Sequence, residues 1–204
     1  MGTADHEAVD LRKGDALIVV DVQNCFLPGG ALGVPEGDEV VSPLNRVIER
    51  FERKGLPLFF SRDWHPPDHI SFSGQGGSWP PHGIRDTEGA AFAPKLLIPP
   101  GAAIISKATS RHQEQYSAME GHDAEGRSLG SLLSDLNVRR IFTGGLATDY
   151  CVLSTVLEAL GLGFEVYLLA DAVRAVNVNP GDGDKALAQM KEKGVHIVTT
   201  EALH

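Results

Sequence analysis

The chain has 204 residues, of which 42% are hydrophobic, and its formal net charge at pH 7 is −9. This length and composition fit a globular domain with a sizeable core, and the negative charge argues against nucleic acid and anionic membrane surfaces as partners. No segment reaches the ~18 uninterrupted apolar residues of a membrane span. We therefore expect a cytoplasmic protein whose two cysteines remain free thiols.

The domain organisation follows from where the polar and apolar segments fall. We expect residues 1–13 to form a polar, loosely ordered leader, and residues 14–204 to form one domain. The sequence contains no internal repeat and no low-complexity segment. A homo-oligomer stays open, because neither a heptad pattern nor an obvious apolar patch decides the oligomeric state.

Short apolar runs alternate with helical patterns along the chain. We predict β-strands at 16–20, 57–61, 102–106, 140–143, 165–169 and 195–198. Apolar residues recur at helical spacing within 40–51, 129–136, 152–160 and 186–190. Because most of the strand runs are continuously apolar, they are typical of a parallel sheet buried on both faces. The sequence thus predicts a three-layer α/β sandwich, Rossmann-like in architecture, around a mostly parallel six-stranded sheet.

Polar side chains follow four of the predicted strands. Asp21 comes after the first strand, Asp63 after the second, Lys107 after the third, and the segment 144–151 after the fourth. Ligands of such sheets bind at the carboxyl ends of the strands, so we expect one site along this edge. No Gly-x-Gly-x-x-Gly or P-loop pattern follows a strand, and nucleotide binding therefore has no support.

Three of these side chains suit nucleophilic catalysis when they are taken together. Cys151 lies at the predicted start of a helix, where the helix dipole and a nearby Lys107 are expected to lower the thiol pKa. Asp21 can serve as the general base, and free backbone N–H groups of the first turn can bind an oxyanion. Singly, each residue has a plainer interpretation: a buried apolar thiol, a solvent-exposed lysine and a turn cap.

A second group of side chains suits a metal ion. Asp63 and His65 share one face of an extended segment, and His82 can complete the set. Carboxylate and imidazole ligands accept zinc, iron or manganese. An Asp-x-His pattern alone is a weak signal, since isolated histidines are more often structural. His69 stays open between ligand, neighbour of the ligands and exposed loop residue.

Two aromatic residues lie next to these groups in the sequence. Phe26 follows Asp21, and Trp79 precedes His82. Both can line an apolar pocket for a flat ring, or they can simply pack in the core. The residues alone leave these alternatives open.

The motifs together resemble the nicotinamidase (pyrazinamidase) family of the isochorismatase-like cysteine hydrolase superfamily. The resemblance extends over about residues 15–198. It rests on the segments 20–23, 28–32, 62–66, 69–72, 77–82, 105–109 and 145–152.

The resemblance implies roles for the residues around the thiol. It implies a catalytic triad of Asp21, Lys107 and Cys151. It also implies an oxyanion hole formed by the backbone N–H groups of Ala147 and Cys151, with a cis peptide bond between Leu146 and Ala147.

The resemblance further implies how substrate and metal are held. It implies one divalent ion, with zinc preferred over iron or manganese, bound by Asp63, His65 and His82. The substrate ring would lie between Phe26 and Trp79, with its nitrogen at the ion.

The implied reaction is hydrolysis of nicotinamide to nicotinate and ammonia through a thioester, with pyrazinamide as a further substrate. One alternative is another small-amide hydrolase of the same superfamily, which the Asp-His-His set disfavours. A second alternative is a metal-stabilised binding module without activity, which the Asp-Lys-Cys set disfavours. Isochorismate hydrolysis does not require a cysteine and is disfavoured by its presence.

Overall fold

The fold is built on a parallel six-stranded sheet, as seen in a computed structural model that describes residues 8–204. The strand order is β3-β2-β1-β4-β5-β6, and each neighbouring pair is parallel. The strands are β1 Asp15–Val20, β2 Leu58–Asp63, β3 Ala103–Lys107, β4 Arg140–Leu146, β5 Glu165–Arg174 and β6 His196–Val198. The predicted three-layer α/β architecture is confirmed.

Helices cover both faces of the sheet. They are α1 Val41–Arg53, α2 Leu129–Asp135, α3 Leu153–Gly161 and α4 Asp182–Glu192. Side chains of α1 belong to one apolar core, and side chains of α2, α3 and α4 belong to the other. Strand β1 contributes to both cores, because Leu17 and Val19 point to the first whereas Ile18 and Val20 point to the second. This two-sided burial explains the uninterrupted apolar run.

Several strands continue beyond their predicted ends into polar residues. Strand β2 includes Asp63, which pairs in register with Lys107, the last residue of β3. Strand β5 continues past Asp171 to Arg174. The apolar run that predicted each of these strands ends before its backbone pairing does, because the last paired residues are polar. Asp63 and Lys107 are therefore held by the sheet itself and not by loops.

The first described residues pack against the end of the chain. The Val9 N–H donates to the Ala202 carbonyl at 2.8 Å, and the His204 N–H donates to the Val9 carbonyl at 3.0 Å. Leu11 is buried in the core that α1 covers. Val9 and Leu11 of the predicted leader therefore contact the folded domain, whereas residues 1–7 lie outside the described part. Within residues 8–204, no helix is long and apolar enough to cross a membrane.

Gly145 allows β4 to approach β1 closely. Its φ is +125°, and a Cβ atom there would lie 2.0 Å from the Val20 carbonyl oxygen. Gly145 and Val20 are partners in the β1/β4 ladder. A side chain at this position would therefore force apart the two central strands of the sheet.

We expect Gly145→Ala to lower the free energy of unfolding by about 3 kcal/mol or more, because it combines an unfavourable φ with a backbone overlap. Gly161→Ala is the matched control, since Gly161 ends α3 and its Cβ would meet nothing within 4 Å. Urea unfolding monitored by circular dichroism measures both variants. Equal stability of the two variants would contradict this account of Gly145.

Candidate active site

The structure brings the three proposed catalytic side chains together at the carboxyl edge of the sheet. Lys107 Nζ lies 2.9 Å from Asp21 Oδ2 and 3.4 Å from Cys151 Sγ. All three residues are buried. They come from the ends of β1 and β3 and from the turn after β4, which are far apart in the sequence and adjacent only in the folded sheet.

The thiol lies in an irregular helical turn that follows β4. The peptide bond between Leu146 and Ala147 is cis, as the resemblance implied. A π-helical turn then spans Thr148–Val152, and α3 continues from it. The Ala147 carbonyl accepts the N–H groups of Tyr150 and Val152, each at 3.1 Å, and neither bond uses the Cys151 N–H. The predicted helix start is present, with a wider first turn that is common at functional sites.

The expected lowering of the thiol pKa is wrong for this environment. Burial raises the pKa of Cys151 well above its usual value, and the neighbouring Lys107 only partly opposes this. The nearby carboxylate of Asp21 raises it further. The thiol is therefore protonated at neutral pH and needs a base to become a nucleophile.

Asp21 has the properties of such a base. Burial raises its pKa, and the adjacent Lys107 ammonium partly reverses that effect. The Ser61 hydroxyl donates to Asp21 Oδ1 at 2.7 Å, so one carboxylate oxygen is held from β2. The residue has a φ of +48°, an uncommon conformation that directs the chain away from the sheet. A carboxylate with a raised pKa accepts a thiol proton more readily.

The second predicted cluster is also assembled. Asp63 Oδ2 lies 3.5 Å from His65 Nε2 and 3.7 Å from His82 Nε2. These separations are close to the roughly 3.4 Å expected between ligands that each lie about 2.1 Å from one tetrahedral ion. All three side chains are buried. The three residues thus present one oxygen and two imidazole nitrogens to a common point.

The hydrogen bonds of the two histidines fit a divalent metal ion. His65 Nδ1 lies 3.2 Å from the Ala108 carbonyl, and His82 Nδ1 lies 2.7 Å from the Pro80 carbonyl. Both rings therefore carry the proton on Nδ1 and turn Nε2 toward Asp63. Within residues 8–204, His65 Nε2 is buried without a hydrogen-bond partner. A bound ion would satisfy that nitrogen.

His69 packs beside this cluster with both ring nitrogens occupied. Its ring centroid is 4.2 Å from that of His65. Nδ1 lies 2.7 Å from Ser71 Oγ, and Nε2 lies 3.0 Å from the Gln113 carbonyl. Of the three alternatives that the sequence left open, the arrangement corresponds to a buried neighbour of the Asp-His-His set.

Lys107 connects the two clusters. Its Nζ lies 2.5 Å from Asp63 Oδ1, on the opposite side of that carboxylate from the histidines. Asp63 and Asp21 outweigh burial and raise the pKa of Lys107 well above its usual value. Burial alone would raise the pKa of Asp63. The nearby charges, chiefly that of Lys107, outweigh this effect and hold the pKa of that carboxyl well below its usual range. The ion pair between Lys107 and Asp63 is therefore charged across the neutral pH range.

An aromatic pocket leads from the surface to both clusters. Phe26 and Trp79 line it, which is one of the two alternatives that the residues left open, and so does Cys151. Sequence reasoning missed Tyr116 and Tyr150, which line the same pocket. The Trp79 Nε1–H donates to the Tyr116 hydroxyl at 2.9 Å, and the Trp79 and Tyr150 rings meet edge to face at 5.0 Å.

The sequence indicates a position at the pocket for only one of these tyrosines. Tyr150 immediately precedes the thiol, so its proximity to the pocket is local. Tyr116 lies in an irregular segment after β3, and only tertiary packing brings it to Trp79.

The second cysteine, Cys25, is a packing residue. It is buried in the core that α1 covers. Burial raises the pKa of its thiol to about 12, so it stays protonated at neutral pH.

Comparisons with known proteins place the chain among similar sequences and folds. The isochorismatase domain family matches residues 15–202. The nicotinamidase of Escherichia coli strain K12 is 38% identical over 200 residues, which are 90% of this chain and 94% of that relative. The pyrazinamidase of Pyrococcus horikoshii, solved in complex with zinc, is 47% identical with a TM-score of 0.84, covering 91% of this chain and 99% of its own. PnC1 from L. infantum, solved in complex with nicotinate, is 33% identical with a TM-score of 0.84, covering 97% and 98%.

We expect Lys107→Met to lower the free energy of unfolding by about 3–5 kcal/mol, because it leaves two buried carboxylates without their cation. Lys185→Met is the matched control, since Lys185 pairs with Asp182 at 3.1 Å on the surface and contributes about 0–1 kcal/mol. Urea unfolding in the presence of a chelator measures both variants without a compensating metal charge.

The loss in Lys107→Met should shrink as the pH falls from 7 toward 5. Without Lys107, the pKa values of Asp21 and Asp63 both rise, because the ammonium lowers each of them. Folded-state pKa values above the unfolded ones favour folding at lower pH, where the folded state binds the extra protons. A loss that grows on acidification would contradict this description of the two carboxylates.

Proposed function

We propose that this chain, which belongs to the isochorismatase family, hydrolyses nicotinamide to nicotinate and ammonia. The observation that carries the proposal is the position of the Cys151 thiol. It lines an aromatic pocket, 3.4 Å from Lys107 Nζ, and an Asp-His-His set lines the same pocket. The similarity to the nicotinamidase of E. coli supports the same reaction. The geometry also suits pyrazinamide, whose ring and carboxamide have the same outline.

Acylation begins with transfer of the Cys151 proton to Asp21. The raised pKa of Asp21 suits it to hold that proton. The thiolate then attacks the carboxamide carbon, and the C=O electron pair moves onto oxygen. We assign the N–H groups of Ala147 and Cys151 to bind this oxyanion. Lys107 stabilises the negative charge that moves between thiol and carboxylate.

Collapse of the tetrahedral intermediate breaks the C–N bond. Asp21 returns its proton to the departing amine, which leaves as ammonia, and the acyl group remains on Cys151 as a thioester. Asp21 then takes a proton from water as the hydroxide adds to the thioester. The C–S bond breaks and nicotinic acid forms, which releases its carboxyl proton to water as nicotinate. The proton on Asp21 returns to the thiolate.

We assign Asp63, His65 and His82 to hold one divalent ion. Their donor set accepts zinc, iron or manganese, and the zinc complex of the P. horikoshii pyrazinamidase supports zinc. When bound, the ion supplies a Lewis acid for the pyridine nitrogen. Phe26 and Trp79 contact the ring faces and exclude water from the pocket.

The partners proposed here are limited to the small substrate and the metal. The net charge of −9 supports an enzyme that acts without nucleic acid or membrane, and we assign it to the cytoplasm. The mechanism requires residues of one chain only, so it is compatible with a monomer and with a homo-oligomer.

We expect Cys151→Ala to abolish ammonia release from nicotinamide, because no other described thiol reaches the pocket, while the fold and the metal content stay intact. Cys25→Ala is the matched control and should retain activity, since Cys25 is buried in the core. Coupled ammonia assays, circular dichroism and metal analysis measure these outcomes. Turnover of nicotinamide by Cys151→Ala at the wild-type rate would contradict the covalent mechanism.

Removal of the metal should lower nicotinamide hydrolysis by at least about 100-fold, because the ring nitrogen loses its anchor. Dialysis against a chelator followed by titration with zinc, iron and manganese measures loss and recovery. A panel that adds maleamate and N-carbamoyl compounds tests the alternative small-amide activities. Faster ammonia release from one of those compounds than from nicotinamide would overturn the substrate assignment.

A further inference from the structure

The buried side chain of Gln23 makes three hydrogen bonds beside the site. Its Oε1 accepts the Asp63 N–H at 2.8 Å, and its Nε2 donates to the Asp63 carbonyl at 2.9 Å. The same Nε2 donates to the Ala90 carbonyl at 2.9 Å. Gln23 has no solvent-exposed surface. The amide is therefore fully bonded in one orientation, with two bonds to the backbone of a single residue.

These bonds replace a stretch of missing sheet. The last paired residues of β1 and β2 are Val19 and Phe60, and one further backbone bond runs from the Asp21 N–H to the Ser61 carbonyl at 3.2 Å. Asp21 then turns the chain away. Asp63 still pairs with Lys107 of β3 on its other side. Because β1 has already ended at this level, no strand in the described part of the chain bonds the N–H and the carbonyl of Asp63 that face Gln23. The Gln23 carboxamide supplies the same donor and acceptor as a peptide group and extends the ladder by one residue.

Asp63 needs a fixed orientation because its two oxygens face different groups. Oδ1 bonds Lys107 at 2.5 Å, whereas Oδ2 faces the Nε2 atoms of His65 and His82. A small rotation or shift of its backbone would lengthen both sets of contacts at once. Rigid support of a ligand by neighbouring hydrogen bonds is what preserves such geometry.

We propose that Gln23 is a positioning residue that holds Asp63 in the orientation required by both the metal set and Lys107. The proposal rests on the proposed role of Asp63 as a metal ligand. A carboxamide is the side chain that fits, because it alone offers a donor and an acceptor in this spacing. A carboxylate would direct an acceptor at the carbonyls of Asp63 and Ala90, and an apolar side chain would leave three backbone groups unbonded.

The test compares zinc affinity in Gln23→Met and in the wild-type protein. We expect zinc, measured by competition with a chelator, to bind about 10- to 100-fold more weakly in the variant. Cobalt(II) absorption should also change, because the ligand geometry is loosened. Both readouts are independent of turnover, so they remain decisive if nicotinamide is not the substrate.

Thr143→Val is the matched control. Thr143 Oγ1 donates to the Ile18 carbonyl at 3.0 Å, so the control also removes a buried side-chain bond to the backbone, away from the site. We expect its stability to fall while its zinc affinity and cobalt spectrum match the wild type.

Three results would overturn the positioning role. The first is wild-type zinc affinity in a folded Gln23→Met, and the second is equal weakening by Thr143→Val. If Gln23→Met does not fold, Gln23→Glu replaces it, because glutamate keeps the side-chain length and one acceptor. The same loss of zinc affinity is expected. Failure of both Gln23 variants to fold, with Thr143→Val folded, is the third, because it assigns Gln23 to folding alone.

Discussion

The ammonium group of Lys107 is the contact on which both clusters depend. It is buried and lies within 2.9 Å of an oxygen of Asp21 and of Asp63, and 3.4 Å from the Cys151 thiol. Two carboxylates this close together cannot both stay ionised in a buried site without a cation between them. Lys107 therefore allows the proposed nucleophile-and-base pair and the proposed metal ligands to lie next to each other.

The raised pKa of the thiol changes how the site must work. A thiolate at a helix end would react with any electrophile that entered the pocket, whereas a buried thiol reacts only after a base has removed its proton. Asp21 is also buried and has a raised pKa, so the proposed proton transfer from Cys151 happens between neighbours inside the protein. The total charge of the site does not change in that step, so no charge needs to be brought in from water.

The carboxyl edge of the sheet supplies this arrangement because parallel strands end side by side. Asp63 and Lys107 are paired last residues of neighbouring strands, and Asp21 is the first residue after the central one. Ser61 and Gln23 then bond the two carboxylate residues across the gap that opens where β1 leaves the sheet. Side chains thus continue the hydrogen-bond ladder to the point where chemistry is proposed.

The sequence by itself determined the layered α/β fold, because uninterrupted apolar runs have few other places to be buried. It also determined the chemical types at the sheet edge, since Asp21, Lys107 and Cys151 each follow such a run. The predicted end of β2 was two residues before Asp63, because the apolar run stops before the backbone pairing does.

Only the tertiary structure decided the relations between residues distant in the chain. The hydrogen bond from Trp79 to Tyr116, the orientation of His69 and the support of Asp63 by Gln23 join segments that carry no mutual signal. The pKa of Cys151 depends in the same way on the packing around it. A helix end alone predicts a lowered pKa. Only the folded site reveals that burial raises the pKa by more than Lys107 lowers it, because desolvation depends on every neighbour at once.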